Sequence, residues 1–325
     1  MGCEQVRWSA EASRQVRWFA VGVVVVALAG VVAGCTGAPD RREQATTLVR
    51  EIEAMPGVSS FSSGYNNEFE RGANLDLQVS MPDATAAQIE AVVTRINDLK
   101  GTAFEDFRQT ADFHVGMRLD VRRGTTLDPA QIAADAQRIR AIAAAVPNAQ
   151  IDANRGEGRL ALDIREVDDA QPVLTATRDA LAAEPAKVEI IAKQQPNMWG
   201  VSFPFTIEQQ NLILAQLSQL PRGANPWTVD VTGDYLSGLS VNVGTGDSYR
   251  ELIAVIDVAH PTPEHPLWLR WAARGAGEIF KGSADIGGCR GYGDSNGEKH
   301  PEQYLTPDAV ALQQRIRAEY DTCAR

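Results

Sequence analysis

Basic charge, histidine and recognisable catalytic signatures are all scarce in this chain of 325 residues. Lys and Arg together number 31 against 42 Asp and Glu, giving a net charge of −11. That balance excludes nucleic acid and anionic lipid head groups as broad electrostatic partners, because both need a basic surface. Histidine occurs only four times. His260 and His265 stand either side of Glu264 in a stretch broken by Pro261 and Pro263. This is not the helical His-Glu-x-x-His spacing that sets two imidazoles on one face for zinc. His114 lies amid alternating strand residues and reads as a sheet-face side chain. No Gly-x-Ser-x-Gly elbow occurs. The glycine-rich residues 287–298 lack both the Lys-Ser/Thr of a phosphate loop and the acidic ligands of a calcium loop, so they read as a surface turn. No catalytic residue, cofactor or metal is nominated by any motif.

Long apolar runs are also rare, and the longest carries the strongest signal. Residues 18–34 contain no charge, follow Arg7, Arg14 and Arg17, and lead into Val32-Ala33-Gly34-Cys35. A basic start, an apolar middle and a small-residue exit are the three parts of an export signal. The final four residues resemble the bacterial lipobox, an aliphatic residue, a small residue, Gly or Ala, then Cys. The resemblance covers residues 1–35. It implies cleavage before Cys35, a diacylglycerol on its sulfur, and palmitate-like chains holding the protein to the outer side of the cell membrane. A single acyl chain binds a bilayer marginally, whereas several anchor it stably. The competing reading is an uncleaved anchor, since the run falls just short of the usual spanning length. Met1-Gly2-Cys3 is a weaker acylation start, because Val6 stands where Ser or Thr is required.

Cysteine usage agrees with export. Of the four cysteines, Cys3 would leave with the signal and Cys35 would be lipidated. Cys289 and Cys323 then form an even pair, expected to join in an oxidising compartment and pin the C-terminal tail. Two free buried thiols are the alternative.

The chain as a whole is 44% hydrophobic, and the residues after Cys35 are enough for a substantial core. Its pattern is helix, strand, strand, repeated about six times. The first helix covers residues 43–54, with strands near 58–65 and 73–81. Later helices are expected over 83–99, 128–146, 170–183, 206–220 and 248–259, each followed by two strand-like runs. In the second unit these runs are 104–109 and 113–121; in the last, 267–272 and 278–281. Five helices stop at a proline, at positions 56, 147, 185, 221 and 261. Proline disfavours helical geometry in the residue before it, so each marks a reproducible stop.

These observations predict an α+β fold: repeated α-β-β units forming two to three ferredoxin-like layered subdomains, plus a C-terminal helix over 307–322. The expected organisation is a signal peptide at 1–34, a short linker at 35–42, and the repeats at 43–283. Subdomains are expected at about 43–127, 128–204 and 205–283. A disulfide-clamped loop and helix fill 284–325. The short linker would hold the repeats close to the membrane.

Aromatic residues are few, at 6% of the chain. Trp199, Trp227, Trp268 and Trp271 nevertheless fall in strand-like runs of successive units. If helices cover one sheet face, the other can present such rings to a polysaccharide, peptide or lipid; packing in the core is the alternative. Trp268 and Trp271 have opposite parity and cannot share a face of a regular strand. The expected role is binding or scaffolding at the cell envelope. Its partners would be the bilayer through acylated Cys35 and an envelope protein or glycan. An envelope hydrolase would be marked by a deep polar pocket with His114, His260 or His265 bonded to a carboxylate. An apolar-ligand carrier would show a large cavity between sheet and helices.

Overall fold

Helix starts are set by capping side chains. Thr85, Asp128, Asp169, Thr206, Asp247 and Thr306 each accept a hydrogen bond from a first-turn amide, satisfying a donor that the helix itself cannot. The computed structural model describes residues 39–68, 72–156, 158–244, 246–273, 282–289 and 300–323. Its helices are α1 (Arg42–Glu53), α2 (Ala86–Lys100), α3 (Pro129–Ala145), α4 (Ala170–Leu181), α5 (Ile207–Leu217), α6 (Ser248–Ala259) and α7 (Pro307–Tyr320). None among the described residues is long and apolar enough to cross a membrane. The apolar run at 18–34, the lipobox and Cys35 lie outside the described residues.

The strands are β1 (Ser60–Glu68), β2 (Gly72–Ser80), β3 (Arg108–Gly116), β4 (Leu119–Arg123), β5 (Gln150–Gly156) and β6 (Arg159–Val167) in the first half. The second half supplies β7 (Ala186–Ala192), β8 (Met198–Phe203), β9 (Asn225–Thr232), β10 (Tyr235–Val243), β11 (Leu267–Ala273) and β12 (Gly282–Ile286). All twelve form one sheet whose order follows the chain from β1 to β12. Each hairpin pairs antiparallel, and the two strands flanking each of α2 to α6 pair parallel as direct neighbours. A split β-α-β crossing would place another strand between them, so the ferredoxin-like strand order is not adopted. The ladder also runs on where subdomain boundaries were expected, through Leu119↔Ile151 and Met198↔Thr228. Residues 37–325 form one compact unit.

The alternation of side chains gives this sheet one apolar face. Phe113, Val121, Ala153, Leu162, Val188, Val201 and Val229 lie on it and are buried. The helices cover that face side by side, joined by polar contacts from one to the next. Arg95 of α2 meets Glu51 of α1 at 3.1 Å, Arg178 of α4 donates to Gln210 of α5, and Gln216 of α5 donates to the Val258 carbonyl of α6 at 2.7 Å. Successive crossovers therefore share a face and a lateral direction but start from strands running in opposite senses. Their handedness must alternate, a departure from the near-universal right-handed crossover.

One charged cluster is built into this interface. Asp135 of α3 is fully buried and is bound by Arg155 at 2.7 and 2.9 Å, by Arg138 at 2.7 Å and by Arg123. Arg155 and Arg138 continue to Glu184, so the cluster links β4, α3, β5 and the end of α4.

Two element assignments differ from the sequence pattern. Phe104 and Phe107 are buried in turns ahead of β3, not in a strand, and pack edge to face at 5.4 Å between centroids. The run at 113–121 divides into β3 and β4 at a turn whose Arg118 adopts φ +65°. Arg rarely fills that left-handed position, so nothing in composition announces the turn. The strand expected at 278–281 lies outside the described residues; β12 begins at Gly282.

At the far edge, α7 covers β12. Ser283 donates its amide to Gln313 at 2.9 Å, and Arg317 donates to the Ser283 carbonyl at 2.8 Å. Side chains thus occupy edge groups that would otherwise template pairing with another chain. Cys289 and Cys323 stand at disulfide distance, with Cα atoms 5.3 Å apart, and close this arrangement behind the helix.

Candidate functional site

Among the described residues no helix packs on the second face of the sheet. Its side chains are polar, and the pairing register aligns them into rows across the strands. One row runs the full width: Ser60, Ser80, His114, Asp120, Asp152, Asp163, Glu189, Gly200, Asp230, Gly238, Trp268 and Asp285, one residue from each strand. At about 4.8 Å per strand this row spans roughly 50 Å. Four carboxylates follow one another from Asp120 to Glu189. Like charges directly opposite one another destabilise a sheet, so the row is not explained by stability.

Bases beside the row offset part of that repulsion. Arg122 lies 3.0 Å from Asp152 and 3.8 Å from Asp112, and Arg165 binds Asp163. His114 Nδ1 lies 2.5 Å from Asp120 Oδ1. Burial pushes the Asp152 carboxyl above its ordinary value; Arg122 opposes this, while Asp120 and Asp163 reinforce it.

Past Asp230 the face changes character. Gly200 and Gly238 flank Asp230, and a Cβ on either would fall 2.3 Å from one of its carboxylate oxygens. The two glycines thus let this carboxylate lie flat between them. Beside it, the Arg270 guanidinium sits 4.1 Å from the Trp268 ring centroid and 5.6 Å from that of Trp227. Burial lowers the Arg270 pKa while Asp230 opposes the shift. A guanidinium set against two indole rings, beside a carboxylate on a low glycine floor, gives apolar and polar contacts over one small area.

The four expected aromatics therefore separate. Trp227 and Trp268 are half-buried on the uncovered side. Trp199 and Trp271 are buried on the helix side, where their registers place them against Ile190 and Val241, so they do not belong to the uncovered face. Parity alone would send Trp227 to the core with Val229 and Val231. A bulge, in which Thr228 faces Ser240 but Pro226 faces Val241, turns it back toward Arg270, as bulges commonly do.

His114 meets the hydrolase expectation in part: it is bonded to a carboxylate, and Ser80 is its lateral neighbour. The pair stands on a half-exposed sheet face and not in a deep pocket. Backbone amides of an interior strand are committed to the ladder in the sheet plane, so this face offers no amide pair for an oxyanion. His265 stacks on Tyr235 at 4.5 Å between centroids, and His260 ends α6 in a left-handed conformation. Neither joins His114. Among the described residues no group of His, Cys, Asp and Glu is arranged to hold a metal ion.

No family model, no curated protein and no solved structure matches this chain.

Proposed function

We propose that this chain is a membrane-anchored extracytoplasmic lipoprotein that binds an envelope protein or glycan through the uncovered face of its sheet. Cys35, acylated, supplies the bilayer contact, and the short linker at 35–42 holds the repeats near the membrane. The observation that carries the binding reading is the Trp227, Trp268, Arg270 and Asp230 patch on the face that no described helix covers. Its acid row repels phosphate backbones, which argues against nucleic acid as the partner. Six α-β-β copies of one ancestral unit account for the architecture in the most economical way. An envelope hydrolase is the second reading, favoured only by the His114 to Asp120 contact.

The anchor is tested by replacing Cys35 with Ala and following the protein by detergent phase partition and intact mass. The proposal expects the wild-type chain in the detergent phase with the mass of a cleaved, acylated form. The variant should lose both the lipid mass and the partition. Unchanged partition and mass in the variant would defeat the anchor.

A further inference from the structure

The two ends of the sheet are finished differently. At β12, side chains of α7 occupy the edge groups of Ser283. At the other end, no strand among the described residues pairs with the outer side of β1. The ladder between β1 and β2 runs without a bulge, and residues 60–67, Ser-Phe-Ser-Ser-Gly-Tyr-Asn-Asn, include no charged residue and no proline. Charges, prolines and bulges are devices that keep an edge strand from pairing with another chain. This stretch of β1 has none of the three.

The helix over β1 has an outward flank of matching design. α1 packs on the core through Ala45, Leu48 and Ile52, and its Glu51 reaches along the helix layer to Arg95 of α2. At about 100° per residue, Arg42, Thr46, Val49 and Glu53 line the flank opposite Glu51. Arg42, Thr46 and Glu53 are exposed, and Val49 is half-buried. Arg42 opens the helix and Glu53 closes it, and each carries the sign that the helix dipole disfavours at its end. Glu43 and Arg50, which carry the favoured sign, lie off this flank. Helix stability therefore does not account for the charges of Arg42 and Glu53.

We infer that two copies of this chain join β1 to β1 about a two-fold axis normal to the sheet, continuing the sheet from one copy into the other. Such an axis makes the paired strands antiparallel and keeps both helix layers on one side. The two α1 helices then lie side by side in opposite directions. Arg42 of each copy faces Glu53 of the other, and Thr46 faces Val49. Charges that suit neither helix alone become complementary across the axis. Although the chain carries a net charge of −11, the uncharged run of β1 brings no like charges opposite one another. With β12 covered by α7, each copy offers one open edge among the described residues, so the assembly closes at two copies. This inference does not depend on acylation of Cys35 or on a ligand for the uncovered face.

Sedimentation equilibrium of the full chain in density-matched detergent tests this, with a dimer expected. Glu53→Arg sets like charges across the axis twice and should weaken the dimer about tenfold. Adding Arg42→Glu restores opposite charges and should return the dimer to its original strength. Both substitutions suit the helix dipole and sit at exposed positions, so the fold is retained. Ser62→Lys, at an exposed position of β1, puts a protective charge on the edge and should weaken the dimer as well. That variant separates strand pairing from a contact made by the helices alone. A monomeric wild type, growth beyond two copies, or a dimer left at full strength by Glu53→Arg or Ser62→Lys would each overturn the inference. So would a double variant no tighter than Glu53→Arg.

Discussion

Replacing Asp135 with Ala should destabilise the protein by about 3–5 kcal/mol, the usual cost of removing one member of a buried ion cluster. In a domain of this size that is a fall in Tm on the order of 10 °C. The expected loss is large because of what remains behind. Arg123 and Arg155 have side chains only 4% and 6% exposed, so without Asp135 two guanidinium groups stay buried without their main counter-charge. Burial alone would raise the Asp135 carboxyl. The Arg155 contacts, followed by those of Arg123 and Arg138, outweigh it and leave the pKa below its ordinary 3.8. The sign follows: a carboxyl with a depressed folded pKa contributes stability that is present above about pH 4 and is lost as pH falls through the folded value. Urea denaturation of wild type and variant should therefore show the full gap at neutral pH and a narrowing gap below pH 4. Equal midpoints at neutral pH would show that the cluster contributes no net stability.

Breaking the link between Cys289 and Cys323 should cost about 4 kcal/mol, from the loop-closure entropy of its 34-residue separation. Its structural consequence is local. Thr322, one residue before Cys323, donates to the Asp285 carbonyl of β12 at 3.0 Å, and α7 occupies the edge groups of Ser283. Loss of the cross-link frees α7 to leave that edge. The Cys289→Ser, Cys323→Ser double variant should therefore denature at lower urea and gain self-association through β12, read by sedimentation. Identical denaturation curves with and without reductant would contradict this role.

Much of the scaffold was readable in the sequence because its signals are local. Caps at Asp128 and Thr206, proline stops and strand alternation each act within a few residues, and the helix, strand, strand order survives in the structure. The strand order within the sheet was less accessible, since α-β-β repetition fits both an interleaved and a chain-order sheet. The turn at Arg118 was missed because an arginine occupies a glycine-like conformation. Trp227 followed a bulge that parity cannot anticipate. The acid row was hidden for a different reason: Asp120, Asp152, Asp163 and Glu189 are far apart in sequence and become neighbours only through the register of three successive pairings. Asp135 did leave a trace, an acid on the apolar stripe between Ile132 and Ile139 of α3. Its partners on β4 and β5 did not.

The central claim is that the uncovered sheet face is the working surface. Carbodiimide labelling of carboxylates tests it most directly, comparing purified protein in detergent with the same protein in intact envelopes. Asp76, Asp112 and Glu189 report on the uncovered face; Glu90, Asp98, Asp179 and Asp257, all exposed on helices, report on the other. Several-fold protection of the first set in envelopes, with the second set unchanged, is the predicted result. Equal labelling of both sets in the two preparations, or protection confined to the helices, would contradict the account.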